Sequence, residues 1–206
     1  MNLRSTRIFL GGLLAAIMLS ATFAGSAMAG PQWKFGGKTL EGEETIIGAA
    51  EKSALEVEGL VTTCDNFLYE ITIKNSGGTG AGEVTDLPLY NCYTNGFCTV
   101  EGIEPFSFPW PAKLETISTK NYIKISEVQV SIVYGNPLCV LYETEIEVTG
   151  DAGGLLDNST ESATFSDSSF AATGSELDVF GNKVKWNGFF PAEGFEWHRE
   201  EALTVS

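Results

Sequence analysis

The sequence predicts an all-β protein: an antiparallel β-sandwich or jelly-roll-like single domain with two disulfides. Apolar residues recur at every second position in several short segments, which is typical of half-buried antiparallel strands. Turn-forming Gly, Asn and Pro residues separate these segments. No stretch of 12 residues after Gly30 carries a convincing helical stripe. We therefore expect eight to twelve strands around one core.

Residues 1–29 have the features of a secretory signal peptide. Arg4 and Arg7 precede an uncharged run of apolar and small residues that ends in Ala27-Met28-Ala29. Cleavage before Gly30 leaves residues 30–206, a length that suits one domain. The alternative is an uncleaved membrane anchor. We predict a secreted protein, extracellular or periplasmic, that does not contact a membrane after cleavage.

The clearest strands are those in which apolar residues alternate with polar or charged ones. They cover residues 55–62, 67–74, 140–148, 184–186 and 195–197. Residues 122–134 are also rich in β-branched side chains, but their apolar positions are odd up to Ile125 and even from Val128 onward. This change of phase predicts a β-bulge near Ser126-Glu127.

Four connecting segments have their own composition. The Gly-rich residues 75–82 predict a flexible loop, and Asn95-Gly96 suits a tight hairpin turn. Residues 43–53 are the nearest candidate for a short helix or turn. Residues 105–111 combine three prolines with three aromatics, which predicts an edge or an extended connection because Pro cannot donate to a ladder. We favour burial of these aromatics over an exposed recognition patch.

The cysteines all follow the predicted signal peptide. They are Cys64, Cys92, Cys98 and Cys139. An even number in an exported chain predicts two disulfides, with three possible connectivities. A zinc site is less favoured, because there is no Cys-x-x-Cys and the single His is at position 198. Residues 67–73 resemble residues 140–146 and each segment follows a Cys, which favours Cys64–Cys92 with Cys98–Cys139; two strands of the same binary pattern would also explain the likeness.

The charge balance excludes one class of partner. The chain carries 27 acidic and 12 basic residues. Two of the basic residues lie in the predicted signal peptide, so the mature chain has a net charge of −17. Such a charge repels phosphate polymers, and we predict no nucleic-acid partner.

The residues that could carry catalysis do not form a known motif. His198 is the only histidine, and no Gly-x-Ser-x-Gly is present. Paired carboxylates remain open, because Glu101, Glu104, Glu193 and Glu196 lie near aromatic residues. Phe106, Trp110 and Trp197 could form platforms for a ligand such as a sugar. The alternative is an exposed acidic face with the aromatics in the core. We predict no catalytic residue and no cofactor.

Two further features concern the Asp- and Ser-rich segments near the C-terminal third. Asp151, Asp157 and Asp167 lie in turn-like stretches whose carboxylates could bind Ca²⁺, but their spacing is irregular and we predict no metal site. Asn158-Ser159-Thr160 fits the N-glycosylation sequon.

The order of these features resembles a known group of proteins. The features are Trp33, residues 60–64 ending in Cys64, the Gly-rich residues 77–82, the neighbouring Cys92 and Cys98, Pro109-Trp110 and Cys139. Together they resemble small secreted bacterial Cys-containing all-β proteins of unassigned function. The resemblance implies export, disulfides and an all-β fold, and it transfers no functional residue.

The sequence therefore predicts a non-catalytic extracellular module with a structural, surface-interaction or binding role, and not an enzyme. One alternative is a carbohydrate-active protein, either a lectin-like module or a carboxylate-pair glycoside hydrolase. Another is a secreted protein inhibitor. The partner is thus open between a carbohydrate and another extracellular protein.

Overall fold

The computed structural model describes residues 29–136, 144–192 and 201–206. Of these residues 68% lie in strands and 4% in helix, and every strand pairing is antiparallel, which confirms the predicted all-β class. Fifteen strands are present in the described ranges, more than the eight to twelve expected. The strands are β1 (Trp33–Phe35), β2 (Lys38–Thr39), β3 (Glu43–Ala50), β4 (Ser53–Val57), β5 (Leu60–Ser76), β6 (Thr79–Asp86), β7 (Leu89–Thr94), β8 (Val100–Pro105), β9 (Trp110–Ile117), β10 (Lys120–Tyr134), β11 (Glu145–Asp157), β12 (Ser162–Phe165), β13 (Leu177–Val179), β14 (Asn182–Pro191) and β15 (Leu203–Val205). One helix, α1 (Asp167–Thr173), lies between β12 and β13.

Two long strands organise the larger sheet. Strand β5 pairs with β3 and β4 in one continuous register along one edge and with β6 and β7 along the other. Strand β10 likewise pairs with β9 and β8 along one edge and with β11 along the other. The β6–β9 pairing joins the two groups on one side, and β13 and β14 join β11 to β4 on the other. The pairings thus form a closed circuit around one hydrophobic core.

The predicted bulge in β10 is confirmed. The register with β11 shifts between Ile125 and Val128, and Glu127 adopts a φ of 60°. Ile123 and Ile125 are buried before the bulge, and the even-numbered Val128 and Val130 are buried after it. The extra residue therefore keeps the apolar side of β10 toward the core along its whole length.

Several local expectations were wrong. Residues 43–50 form strand β3 and not a helix or turn. Most of the predicted flexible loop 75–82 is strand, because β5 and β6 are joined by a tight turn at Gly77-Gly78, both with positive φ. Helix α1 was not expected. The segment 140–148 is described only from residue 144, where β11 follows, and the strand expected at 195–197 lies outside the described residues.

The disulfide between Cys64 and Cys92 is confirmed. It joins paired positions of β5 and β7, which are directly opposite each other in the sheet. The other predicted bond, Cys98–Cys139, lies outside the described residues because Cys139 does. Cys98 itself is 6% exposed, and no described cysteine is free.

The proline- and aromatic-rich residues 105–111 connect β8 to β9. Trp110 is fully buried, as the sequence favoured, and its ring stacks on Phe108 at 4.5 Å between centroids. The Trp110 Nε1–H donates to the Phe106 carbonyl oxygen at 2.9 Å, so the connection folds back on itself. Phe106 is only half-buried.

A second, three-stranded sheet has the order β15-β1-β2. Side-chain amides of the larger sheet hold it in place. Asn75 at the end of β5 bonds to the backbone of Trp33 and Leu40, and Asn158 bonds twice to the backbone of Val205. Because these contacts come from the β5–β6 and β11–β12 turns, the small sheet lies across one end of the circuit.

Candidate functional sites

An outer groove of about 650 Å³ runs over β8, β10 and β11. Its lining combines three carboxylates, two hydroxyl groups and two aromatic rings. The lining residues are Glu104, Phe106, Ser131, Thr144, Glu145, Glu147 and Phe180. The volume lies within the range of roughly 300–1,000 Å³ that ligand sites occupy. We call this site the outer groove.

Strand pairing fixes the floor of the outer groove. Ser131 of β10 lies opposite Glu104 of β8 on one side and opposite Glu147 of β11 on the other. Since neighbouring strands are about 4.8 Å apart, the α-carbons of the two glutamates are separated by about 10 Å. The Ser131 Oγ–H donates to Oε1 of Glu145 at 2.9 Å. The floor is therefore a row of hydrogen-bond acceptors on an exposed sheet face.

The two aromatic walls come from turns. The Phe106 N–H donates to the carbonyl of Gln129 at 3.0 Å, which ties this residue to β10. Phe180 is 68% exposed in the turn between β13 and β14, where its φ is 51°. The neighbouring Gly181 N–H donates to Asp178 Oδ1 at 2.8 Å and holds this turn. An exposed ring and a half-buried ring beside acceptors suit a ligand that has both apolar faces and hydrogen-bond donors.

The predicted platform residues separate in the structure. Phe106 and Glu104 both line the outer groove. Trp110 is 0% exposed, so its ring offers no surface platform; it lies in the core instead. Trp197, Glu193, Glu196 and His198 lie outside the described residues. Glu101 is exposed and does not line the groove.

The sequence reasoning missed Glu145, Glu147 and Phe180 as site residues. The alternation along residues 140–148 already placed the two glutamates on the polar face of a strand. Their grouping with Glu104 depends on strand pairing, which alternation does not specify.

The aspartates considered for Ca²⁺ have separate partners. Asp151 forms an ion pair with Lys124 at 2.9 Å, and Asp167 lies 3.6 Å from Lys185. Asp157 accepts hydrogen bonds from the N–H and Oγ of Ser159, which lowers the pKa of its carboxyl. No cluster of three or more potential metal ligands occurs within the described ranges.

A separate apolar cavity of about 100 Å³ lies inside the circuit, beneath the three-stranded sheet. Trp33, Leu203 and Val205 of the small sheet form one wall. Trp110, Trp186 and several other core side chains form the remainder. We call this site the inner cavity.

Comparisons with protein-family models, curated proteins and solved structures found no match. The resemblance to small secreted bacterial β-proteins therefore stays a prediction. None of the helices in the described part of the chain has the length and apolar character needed to cross a membrane.

Proposed function

We propose that the chain is exported, loses residues 1–29, and acts outside the membrane as a non-catalytic binding module with the outer groove as its ligand face. The mature chain, residues 30–206, would be a single all-β domain with two disulfides. The observation that carries this proposal is that two aromatic rings, Phe106 and Phe180, line the outer groove together with its row of glutamates. Such a groove offers stacking surfaces and acceptors to a neutral, hydroxyl-rich ligand, and a carbohydrate fits this chemistry.

The test is retention of purified residues 30–206 on insoluble polysaccharides, namely cellulose, chitin and peptidoglycan. Phe180→Ala removes an exposed ring and should weaken retention by about 10-fold, the loss of one aromatic contact. Phe189→Ala is the matched control, because Phe189 is 49% exposed on β14 and does not line the groove. Equal retention of both variants, or no retention on any polysaccharide, would contradict a carbohydrate ligand in this groove.

A carboxylate-pair hydrolase is the second candidate, and the groove glutamates favour it. Inverting glycosidases place their carboxyl groups roughly 6.5–9.5 Å apart, and the backbone separation of Glu104 and Glu147 is compatible with that spacing. If reducing sugar is released in the same polysaccharide assay, a glycoside hydrolase replaces the non-catalytic binding module as the proposed function. Glu104→Gln and Glu147→Gln should each then abolish release while leaving the unfolding midpoint unchanged. Release of reducing sugar that persists in both variants would exclude Glu104 and Glu147 as the catalytic pair.

A secreted inhibitor is the third candidate, and it rests on a different surface. Phe97 is 79% exposed in the connection between β7 and β8, and Tyr90 and Tyr93 on β7 are each about half-exposed. Exposed aromatics of this kind are typical of protein-binding surfaces. If Phe97→Ala abolishes binding of a protein partner and Phe180→Ala does not change it, the result would support an inhibitor role over ligand binding in the outer groove.

A further inference from the structure

The inner cavity differs from the outer groove in chemistry and position. Its walls are the buried faces of strands from both sheets. They include Ile71 and Ile73 of β5, Ile123 and Ile125 of β10, and aromatic rings from β12 and β14. These side chains are buried, and none of them carries a charge. The cavity is large enough for several water molecules, but its walls give them few partners.

Apart from Tyr69, whose hydroxyl donates to the Pro191 carbonyl, the polar residues that line the inner cavity lie together at the β11–β12 turn and the strand ends beside it. They are Asp157, Asn158, Glu161 and Ser162. Asp157 and Asn158 are also exposed to solvent. The cavity therefore reaches the surface at this turn, beside the edge of the three-stranded sheet.

The polar groups at this turn are engaged within the protein. Asn158 Nδ2–H donates to the Val205 carbonyl, and its Oδ1 accepts from the Val205 N–H, both at 2.8 Å. The Leu203 N–H donates to Glu161 Oε2 at 2.9 Å. Ser162 Oγ is paired with Thr160 Oγ1 at 2.7 Å. Among the described residues no buried side-chain polar atom lacks a partner.

We propose that the inner cavity is a binding site for a small, uncharged apolar molecule, such as a single aromatic ring or a short hydrocarbon chain. The apolar walls match such a ligand, and apolar cavities of comparable size stay dry and take up benzene. An anionic ligand would meet the carboxylates of Asp157 and Glu161 at the entrance. A polar group deep in the site would lose water and find few partners, since the Tyr69 hydroxyl in the lining already donates to the Pro191 carbonyl. This site is independent of the outer groove, since the two share no lining residue.

Titration calorimetry of the mature chain, residues 30–206, with benzene and with benzoate tests the proposal. Benzene should bind saturably with one site per chain and change the fluorescence of the tryptophans that line the cavity. Benzoate, which has the same ring and a negative charge, should not bind. The absence of saturable benzene binding overturns the site, and equal binding of benzoate overturns the ligand class.

Two variants locate the binding. Ala163→Leu adds three carbon atoms at the cavity wall and should lose benzene binding. Ala54→Leu makes the same change at a half-buried strand residue that does not line the cavity, and it should bind as the native chain does. If Ala163→Leu does not fold by circular dichroism, Ala192→Leu on the same cavity replaces it. Equal binding by the wall variant and the control would overturn the location.

Phe180→Ala separates this site from the proposed function. It should bind benzene normally even if it loses retention on polysaccharide. If the binding test of either the inner cavity or the outer groove is negative, the result for the other site therefore still stands.

Discussion

Asn75 makes the most concentrated set of contacts between the two sheets, and its substitution should loosen the small sheet. Its Oδ1 accepts from the Trp33 N–H at 2.9 Å. Its Nδ2 donates to the carbonyl oxygens of Trp33 and Leu40, each at 3.0 Å. One half-buried side chain thus forms three hydrogen bonds to the backbone of Trp33 in the small sheet and of Leu40 beside it.

The expected cost follows from these bonds. A hydrogen bond to a neutral group contributes about 1 kcal/mol net, so Asn75→Ala should lower the free energy of unfolding by about 3 kcal/mol. For a chain of this length that loss lowers Tm by about 6–12 °C. Asn75→Asp keeps the acceptor for Trp33 N–H but turns a charged oxygen toward two carbonyl oxygens, so it should be at least as destabilising near neutral pH.

The aspartate variant has a pH signature. Facing two carbonyl oxygens, its carboxyl should have a pKa above that of the unfolded chain, since only the protonated form can donate. The folded state then binds the proton more tightly, so the deficit relative to the native chain should shrink as pH falls through that raised pKa. Asn75→Ala should show no such recovery.

Urea unfolding followed by tryptophan fluorescence measures these differences, and hydrogen exchange of residues 33–40 localises them. Asn187→Ala, at an exposed position of β14, is the control and should change stability by less than about 0.5 kcal/mol. A loss below about 1 kcal/mol for Asn75→Ala, or unchanged exchange in residues 33–40, would refute the assignment of Asn75 as the tie between the sheets.

Three other changes should have measurable effects. Replacing Cys64 and Cys92 with Ser opens a connection between residues 28 apart, and the chain-entropy relation gives a loss of about 3–4 kcal/mol in urea unfolding; a loss below about 1 kcal/mol would contradict it. Burial raises the pKa of Tyr69, whose hydroxyl donates to the Pro191 carbonyl, so stability should fall as pH rises past about 10, where the unfolded phenol ionises. Tyr69→Phe should flatten that alkaline slope in urea midpoints, and an unchanged slope would assign it to other groups. Trp110→Ala should cost about 3–5 kcal/mol in the same assay, and a cost below about 1 kcal/mol would contradict its place in the core.

The bulged strand β10 was predicted correctly from its change of phase, whereas strand β3 was not predicted. This difference has a physical cause. In β3 the buried positions are Ile46, Gly48 and Ala50. A Cβ at Gly48 would collide with the Tyr69 ring, so a glycine stands where alternation expects a large apolar residue. Two of the three inward residues are small, which hides the period of two from the sequence.

Helix α1, the inner cavity and the outer groove were not predicted from the sequence, for other reasons. Helix α1 has seven residues, fewer than two full turns, so it cannot display a helical stripe. It ends at Gly174, whose φ of 65° suits a glycine C-cap. The cavity and the groove depend on which strands become neighbours, and alternation gives the face of each residue without giving its partner.

The bulge at Glu127 links the two proposed sites. Before it, the odd-numbered residues of β10 point inward, so Ile123 and Ile125 line the inner cavity. After it, the even-numbered residues point inward and the odd-numbered Ser131 reaches the outer groove. If the same residues continued the regular alternation of the first half with no bulge, Ser131 would point toward the core and Val130 toward solvent, because a shift of one residue exchanges the two faces of a strand. One local irregularity therefore lets a single strand supply apolar walls to the inner cavity at one end and a polar floor to the outer groove at the other.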